Sequence, residues 1–535
     1  MQRPRLLAVV VVTATVLAFS GLWHGILGHG DEARFVVAAR EVLRGGPWLI
    51  PTALGQPMVI KPPLFIWLVA LAGKAHGRLD EFAARWPGAL AAVATAVAVY
   101  LLGARLFGRQ VALLAALLFS TTLGGFQLAR EVLPDMPMTA ASTMAMLGAV
   151  AAAQDGTRRA AVGFAVALAL GFHFKLLVGL VPPLATVILV AAFRRDLQSI
   201  RALRPVLGAA VFFALLLPWL VRILLVPDFL AQIDSETFSG RAWGSWRKAY
   251  ESPVRTLQLF VETLFPWSLL VPAAVVHAWR RRSELRDNPL LIPLVWLAVV
   301  VILNMAVNTV RWRYLLPALP PAALVIAQTW QAQIERGRGG LERWLSLGPL
   351  AGMLALFTLM GAFTLARVDP TWLVGGELRQ ALRKLPWMLV PVVWIAGGAA
   401  GLSLLGRRPR WAMLLCVSLV SLSLATIEPL TRAQRDRALD PRPFAEQVRA
   451  VAAGRRILSN SDSVRFYFYL DAPTTLLRDI DLPGALARST RELVVLRADT
   501  LDALQRRGAA PRTVTVLAEG RFGDDHLVLV QGGGE

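Results

Sequence analysis

The sequence predicts a mainly α-helical protein that crosses a membrane many times and ends in a small α/β domain. Three observations predict it. Of 535 residues, 56% are hydrophobic and only 17% charged, and the apolar residues fall in runs near the ~20 residues that carry a helix across a bilayer. The formal net charge of +21 is dispersed rather than gathered in one patch. Basic clusters at Arg3/Arg5, Arg105/Arg109, Arg158/Arg159, Arg194/Arg195 with Arg201 and Arg204, Arg280 to Arg282, Arg336/Arg338 and Arg407/Arg408/Arg410 occupy every second interval between apolar runs, as cytoplasmic loops do. Finally, from about Thr431 the chain turns to mixed polar sequence with short β-branched and aromatic runs. The same dispersal of charge excludes nucleic acid as a partner, because nucleic-acid binding needs a basic patch on one face.

The first apolar run, 6–23, has a basic front but no small-x-small cleavage site, and it reads as an uncleaved first span. Residues 24–84 then form a long outer loop. In it Gly30 breaks the chain and Asp31 is placed to cap a helix running to about Arg44. Lys61-Pro62-Pro63 opens the apolar stretch 64–73, which is too short for about 30 Å of hydrocarbon and reads as an interfacial helix with Trp67 among headgroups.

Spans are expected at 85–104, 110–128, 135–153, 159–174, 176–193, 206–226, 257–279, 290–308, 315–331, 347–366, 387–405 and 411–428, with a polar outer loop from Pro227 to about Arg255. The count is about thirteen, and an odd number puts an inner N-terminus and an outer C-terminus in agreement with the charge bias. The expected domains are 1–430, which holds the spans, and 431–535. The latter is expected to carry strands at 464–470, 493–496, 513–517 and 527–530, with helices at 443–453 and 500–507. Cys416 is the single cysteine, so no disulfide can form within the chain.

Charged side chains at the ends of spans cost free energy unless they face a cavity or a ligand. On the expected topology several collect on the outer side with Asp31 and Arg34: Lys61, Asp135 after Pro134, Lys175 in the turn Gly171-Phe172-His173-Phe174-Lys175, and Arg311, Arg313 and Tyr314. Together they make a cationic outer cavity holding two carboxylates. Such a cavity suits a lipid-linked phosphate, paired by Lys and Arg while its tail lies between spans. A carboxylate nearby can take the proton of an acceptor as charge grows on the leaving phosphate. A plainer reading makes Asp31 and Asp135 helix caps, lets Lys61 and Lys175 reach to headgroups, and gives Arg311 and Arg313 to lipid phosphate. His24 and His29 lie near Asp31 and Glu32, but their spacing fits no strong metal template.

Four motifs carry a resemblance: Asp31-Glu32-Ala33-Arg34-Phe35, Gly45-Gly46-Pro47-Trp48, Lys61-Pro62-Pro63-Leu64-Phe65 and Ala84-Arg85-Trp86-Pro87. Together they resemble the dolichyl-phosphate-mannose protein mannosyltransferase superfamily, with the bacterial aminoarabinose (lipid A) transferases as the most similar-looking branch. The resemblance is strong over about the first 200 residues. It implies a GT-C fold, a polyprenyl-phosphate sugar donor, and transfer to a lipid, glycan or protein acceptor at the periplasmic face of the bacterial inner membrane, with the C-terminal domain also periplasmic. It implies further that Asp31 and Asp135 are the catalytic carboxylates. Arg34, Lys61 and Lys175 then bind the donor phosphate, and Tyr314, in Arg311-Trp312-Arg313-Tyr314, belongs to a late phosphate-binding motif. Where aminoarabinose transferases have a Glu just before the Lys-Pro, implicated in metal binding, this chain has Ile60. No cofactor is therefore expected, and the sugar is left open. The rival expectation is a transporter or flippase of an amphipathic anionic lipid, since a cationic cavity among spans serves either, although no inverted repeat is visible.

Overall fold

The structure, a computed structural model, describes the chain except residues 1, 28–29, 60, 227–245, 307–310, 337–339, 367–377, 438, 461–462, 473, 478–480, 489–491, 510–513 and 533–535. The expected loop 227–255 lies mostly outside the described residues, as do Ile60, His29, Arg338 and Thr513. The chain divides into two compact units: Met1–Ser20, Gly88–Arg130 and Pro134–Glu428, and Gly21–Pro87, Glu131–Leu133 and Pro429–Glu535. The first loop thus groups with the C-terminal segment and not with the apolar helices.

The first unit is helical. Among the described residues six helices are long and apolar enough to cross a membrane: Glu81–Leu106, Asp135–Asp155, Arg158–Arg194, Pro205–Leu224, Arg343–Leu365 and Pro409–Ile427. A seventh span results if Ser252–Leu264 and Trp267–Arg280, bent by 110° across Pro266, are taken together. Several expected spans are shorter or broken for local reasons. The run 110–128 divides into Arg109–Ser120 and Leu123–Leu128, because the Thr122 hydroxyl accepts the Gly125 amide at 3.0 Å and caps a new helix. The run 315–331 begins as a 3₁₀ turn, Trp312–Ala318, and becomes α-helical only over Leu319–Arg336, where Pro317, Pro320 and Pro321 set the entry. Expected spans 159–174 and 176–193 form the Arg158–Arg194 helix, whose backbone leaves helical geometry at Lys175 (φ −154°, ψ 38°) and Leu176 (φ 48°, ψ −133°).

In the second unit, helix Gly30–Leu43 packs on helix Leu64–His76 and on helix Val464–Leu470. A hairpin pairs β1 (Thr52–Ala53) with β2 (Gln56–Pro57). The C-terminal segment holds a five-stranded sheet of β3 (Ile457–Ser459), β4 (Thr474–Leu476), β5 (Leu493–Arg497), β6 (Val514–Phe522) and β7 (Asp525–Gly532), in the order β4-β3-β5-β7-β6. β3 runs parallel to β4 and β5, while β7 runs antiparallel to β5 and β6. Phe444, Val448, Phe466, Leu493, Val495 and Phe522 fill the core on one face of the sheet.

One element differs in kind from its expectation. Residues 464–470, expected as a strand, form a helix that follows Ser463 and ends where Asp471 turns left-handed at φ 45°. Five of its seven residues are buried, because it packs on both the sheet's core and helix Gly30–Leu43. A short run buried on both sides has no polar face, so its periodicity cannot separate helix from strand.

Candidate functional site

In the first unit the apex at Lys175 is built by two glycines. A Cβ at Gly171 would lie 2.6 Å from the Gly179 carbonyl oxygen, and one at Gly179 would lie 1.9 Å from that of Gly171. The two helical legs therefore touch backbone to backbone, a separation only glycine permits. The break between them turns Lys175 out of the helix. Its ammonium meets the Asp135 carboxylate at 2.5 Å and stands 4.3 Å from the centre of the Tyr314 ring. Arg313 lies on the same ring at 5.8 Å.

Asp135 is 1% exposed and is the first residue of its helix, with Pro134 in the cap position. The capping role weighed for it is thus not its geometry; its carboxylate is held by Lys175. A buried pair of this kind tolerates loss of one partner poorly, at about 3–5 kcal/mol, because the other charge is left uncompensated. Tyr314 is positioned by backbone contacts. Its amide donates to the Arg311 carbonyl at 2.9 Å, and its carbonyl accepts from Asn304 Nδ2 at 3.4 Å. Lys175, Asp135, Tyr314 and Arg313 are therefore brought together, while Arg311 is exposed at the start of the 3₁₀ turn. An ammonium carries three N–H groups. Asp135 engages it on one side and the Tyr314 ring on another, and because Asp135 offsets Lys175 it is Arg313 on the same ring that leaves the group net positive.

In the second unit, Gly30 is the first helical residue, so Asp31 lies inside the first turn and not at the cap. It is half-buried, and Arg34, one turn on, is exposed. The Lys61 ammonium lies 4.9 Å from the centre of the Phe35 ring, and that ring meets Phe65 edge-on at 5.1 Å. The conformation weighed for Lys61, reaching outward to headgroups, is replaced by a folded one over the helix that carries Asp31.

Three buried charges are given no role by the sequence reading. Glu32 is 0% exposed and accepts the Val132 amide at 2.8 Å. Arg85, also 0% exposed, donates to the carbonyls of Leu22 and His24 at 2.8 Å, of Gly25 at 3.3 Å and of Ile26 at 2.8 Å. Arg130, in the first unit, donates to the carbonyls of Ser20 at 3.1 Å, Phe126 at 2.6 Å and Leu17. The rule that singled out Asp135, a charge within apolar sequence, singles out Arg85 as well.

The C-terminal segment pins the first loop within this unit. The Ile26 amide donates to Asp436 at 2.9 Å and the Leu27 amide to the Tyr469 hydroxyl at 3.0 Å, which itself donates to Glu81 at 3.0 Å. Arg40 and Arg44 both grip Asp471, Arg44 at 2.8 Å. Burial pushes the Asp471 carboxyl up, but the two guanidiniums outweigh it and hold the group below the usual carboxylate range.

Among the described residues no three His, Cys, Asp or Glu side chains gather as a metal site requires. Glu32 is directed to a backbone amide, and the described donor set does not fit the metal implied by the resemblance.

The fold is mainly helical, with several helices long and apolar enough to cross a membrane, and it is found again in a solved structure. The crystal structure of ArnT from Cupriavidus metallidurans bound to undecaprenyl phosphate superposes with a TM-score of 0.74 at 18% identity, covering 98% of this chain and 97% of that one. Residues 60–221 match the family described as dolichyl-phosphate-mannose-protein mannosyltransferase. Lys61, Asp135 and Lys175 fall inside that match. An undecaprenyl phosphate-alpha-4-amino-4-deoxy-L-arabinose arabinosyl transferase of Sodalis glossinidius is 27% identical over 449 residues, 79% of this chain and 75% of its own. One from Edwardsiella ictaluri is 26% identical over 479 residues, 86% of this chain and 82% of its own. The resemblance read from the sequence is thus found again across most of the chain.

Proposed function

We propose that this protein is an inner-membrane glycosyltransferase that moves a sugar from a polyprenyl-phosphate carrier, undecaprenyl phosphate in its relatives, to an acceptor on the periplasmic side. The observation that carries the reading is the Lys175 ammonium held at 2.5 Å by Asp135 and at 4.3 Å by the Tyr314 ring. The likeness to transferases named for undecaprenyl phosphate supports it. In the reaction the bond between the sugar carbon and the phosphate oxygen breaks, its electron pair stays on the phosphate, and the acceptor oxygen forms the new bond. Lys175 meets the charge that grows on the phosphate, with Arg313 and Arg311 as further cations. Asp135 is a positioning residue for Lys175 rather than the free second acid implied by the resemblance, since its carboxylate is already engaged.

Asp31 takes the acceptor proton, and Arg34 and Lys61 add positive charge on the same loop. No step needs a metal. The proposed topology has about thirteen crossings, counting short and broken helices, an inner N-terminus and a periplasmic α/β domain over 431–535. An envelope lipid of the lipid A type is the first acceptor to test, followed by glycan and protein.

The experiment is incubation of the purified full chain with undecaprenyl-phosphate sugars, alongside mass spectrometry of envelope glycolipids and glycoproteins with and without the gene. Appearance of free undecaprenyl phosphate together with a glycosylated acceptor is the expected result. Movement of intact donor across proteoliposomes with no sugar transferred would replace the reading with transport.

A further inference from the structure

An apolar groove in the first unit lies apart from Asp135, Lys175 and Tyr314. Its volume is about 310 Å³, within the ~300–1,000 Å³ usual for ligand pockets. One wall is the face of helix Val271–Arg280 that presents Val271, Val275 and Trp279, and Leu297 and Ile326 also line the groove. Arg282 ends it as the single charged lining residue. Val275 is 61% and Trp279 66% exposed, so this wall is open along its length. The Arg282 guanidinium lies 4.8 Å from the centre of the Trp279 ring and donates to the Trp279 carbonyl at 3.2 Å.

Two features say what covers the groove. From Val271 to Arg280 the helix rises roughly 14 Å, close to half of a ~30 Å hydrocarbon core, the depth of one leaflet. At its polar end Arg280, Arg281, Arg282 and Arg286 outnumber Glu284 and Asp287. An apolar trough one leaflet deep, closed by a tryptophan and a cluster of guanidiniums, matches an acyl chain below an anionic headgroup.

We propose that this groove binds one anionic glycerophospholipid from the leaflet on the Arg280–Arg282 side. An acyl chain lies between Val275 and Ile326, and the phosphate is held by Arg282. The site is independent of the transfer reaction proposed above.

The test is native mass spectrometry of the delipidated full chain, titrated separately with dioleoyl phosphatidylglycerol and dioleoyl phosphatidylcholine. One saturable phosphatidylglycerol is expected, bound about tenfold or more tightly than phosphatidylcholine, since the headgroup contact is charge-assisted. Arg282→Gln, at an exposed position, should remove that preference, and Ala278→Phe, which fills the trough, should remove the bound lipid. Equal affinity for the two lipids, or a preference that survives both substitutions, would overturn the proposal. So would displacement of the phosphatidylglycerol by undecaprenyl phosphate, or a polypeptide copurifying in the groove and blocking it.

Discussion

Gly171 and Gly179 face each other across the break at Lys175, each backbone occupying the space that a methyl group on the other would need. Gly179→Ala must therefore part the two legs or distort them. We expect a loss of about 1–3 kcal/mol, the range for overpacking a tight contact, visible as a lower Tm and reduced turnover. Gly163→Ala, inside the same helix and meeting nothing within 4 Å, is the control and should leave turnover unchanged and the Tm no lower. An unaffected Gly179→Ala protein would show that the apex does not depend on this contact.

Lys175→Met strips the ammonium from Asp135 and leaves a buried carboxylate alone, at a cost of about 3–5 kcal/mol. Affinity for undecaprenyl phosphate should also fall by about tenfold or more. The double variant Asp135→Asn/Lys175→Met should recover much of the Tm while remaining unable to bind donor. Full transfer by the double variant would reduce the pair to a structural bridge.

Asp31→Asn keeps the shape of a side chain in the first turn of its helix and removes its basicity. Transfer should fall by about 10²–10⁴-fold with folding intact, the range for loss of a general base. Normal turnover in this variant would remove Asp31 from the chemistry.

The lowered pKa of Asp471 has a thermodynamic sign. A carboxyl depressed in the folded state adds stability above its unfolded pKa of about 4, and that contribution disappears as pH falls through the folded value. Asp471→Asn should therefore destabilise the protein at neutral pH by on the order of 1 kcal/mol, read as a lower Tm, modest because Asp471 and Arg44 are about half exposed. The gap from the parent protein should close below about pH 4. A gap that persisted into acid would contradict the ion-pair origin.

Ile60 bears on metal dependence. It offers no ligand atom beside Lys61, so phosphate charge is met by lysine and arginine, and transfer should survive prolonged treatment with a strong chelator. Inactivation reversed by zinc or magnesium would point to other ligands, with His24, His29 and Glu32 the first to substitute.

The sequence carried the charged residues more clearly than the helices that hold them. Asp135 and Lys175 were conspicuous because charge is rare in apolar runs, and the glycine at 171 marked the turn between them. Their mutual pairing was not legible, because residues forty apart meet only after two helices reverse. Span lengths were overestimated where a threonine cap or prolines divide an apolar run, as at Thr122 and Pro317. Strands of three residues, such as Ile457–Ser459, leave almost no pattern to read. The helix at 464–470 has aromatic composition that favours a strand, and tertiary burial on two sides overrides it.

The bonds from Ile26 to Asp436 and from Leu27 to Tyr469 join residues 410 and 442 positions apart. Translation at about 5–20 residues per second separates the two ends by roughly 20–90 s. The loop that leads into Asp31 is thus made long before its latch, and it waits until Asp436 and Tyr469 arrive. Closure of these two bonds waits on the synthesis of Asp436 and Tyr469, so a nascent chain stalled before Asp436 lacks the partners of Ile26 and Leu27.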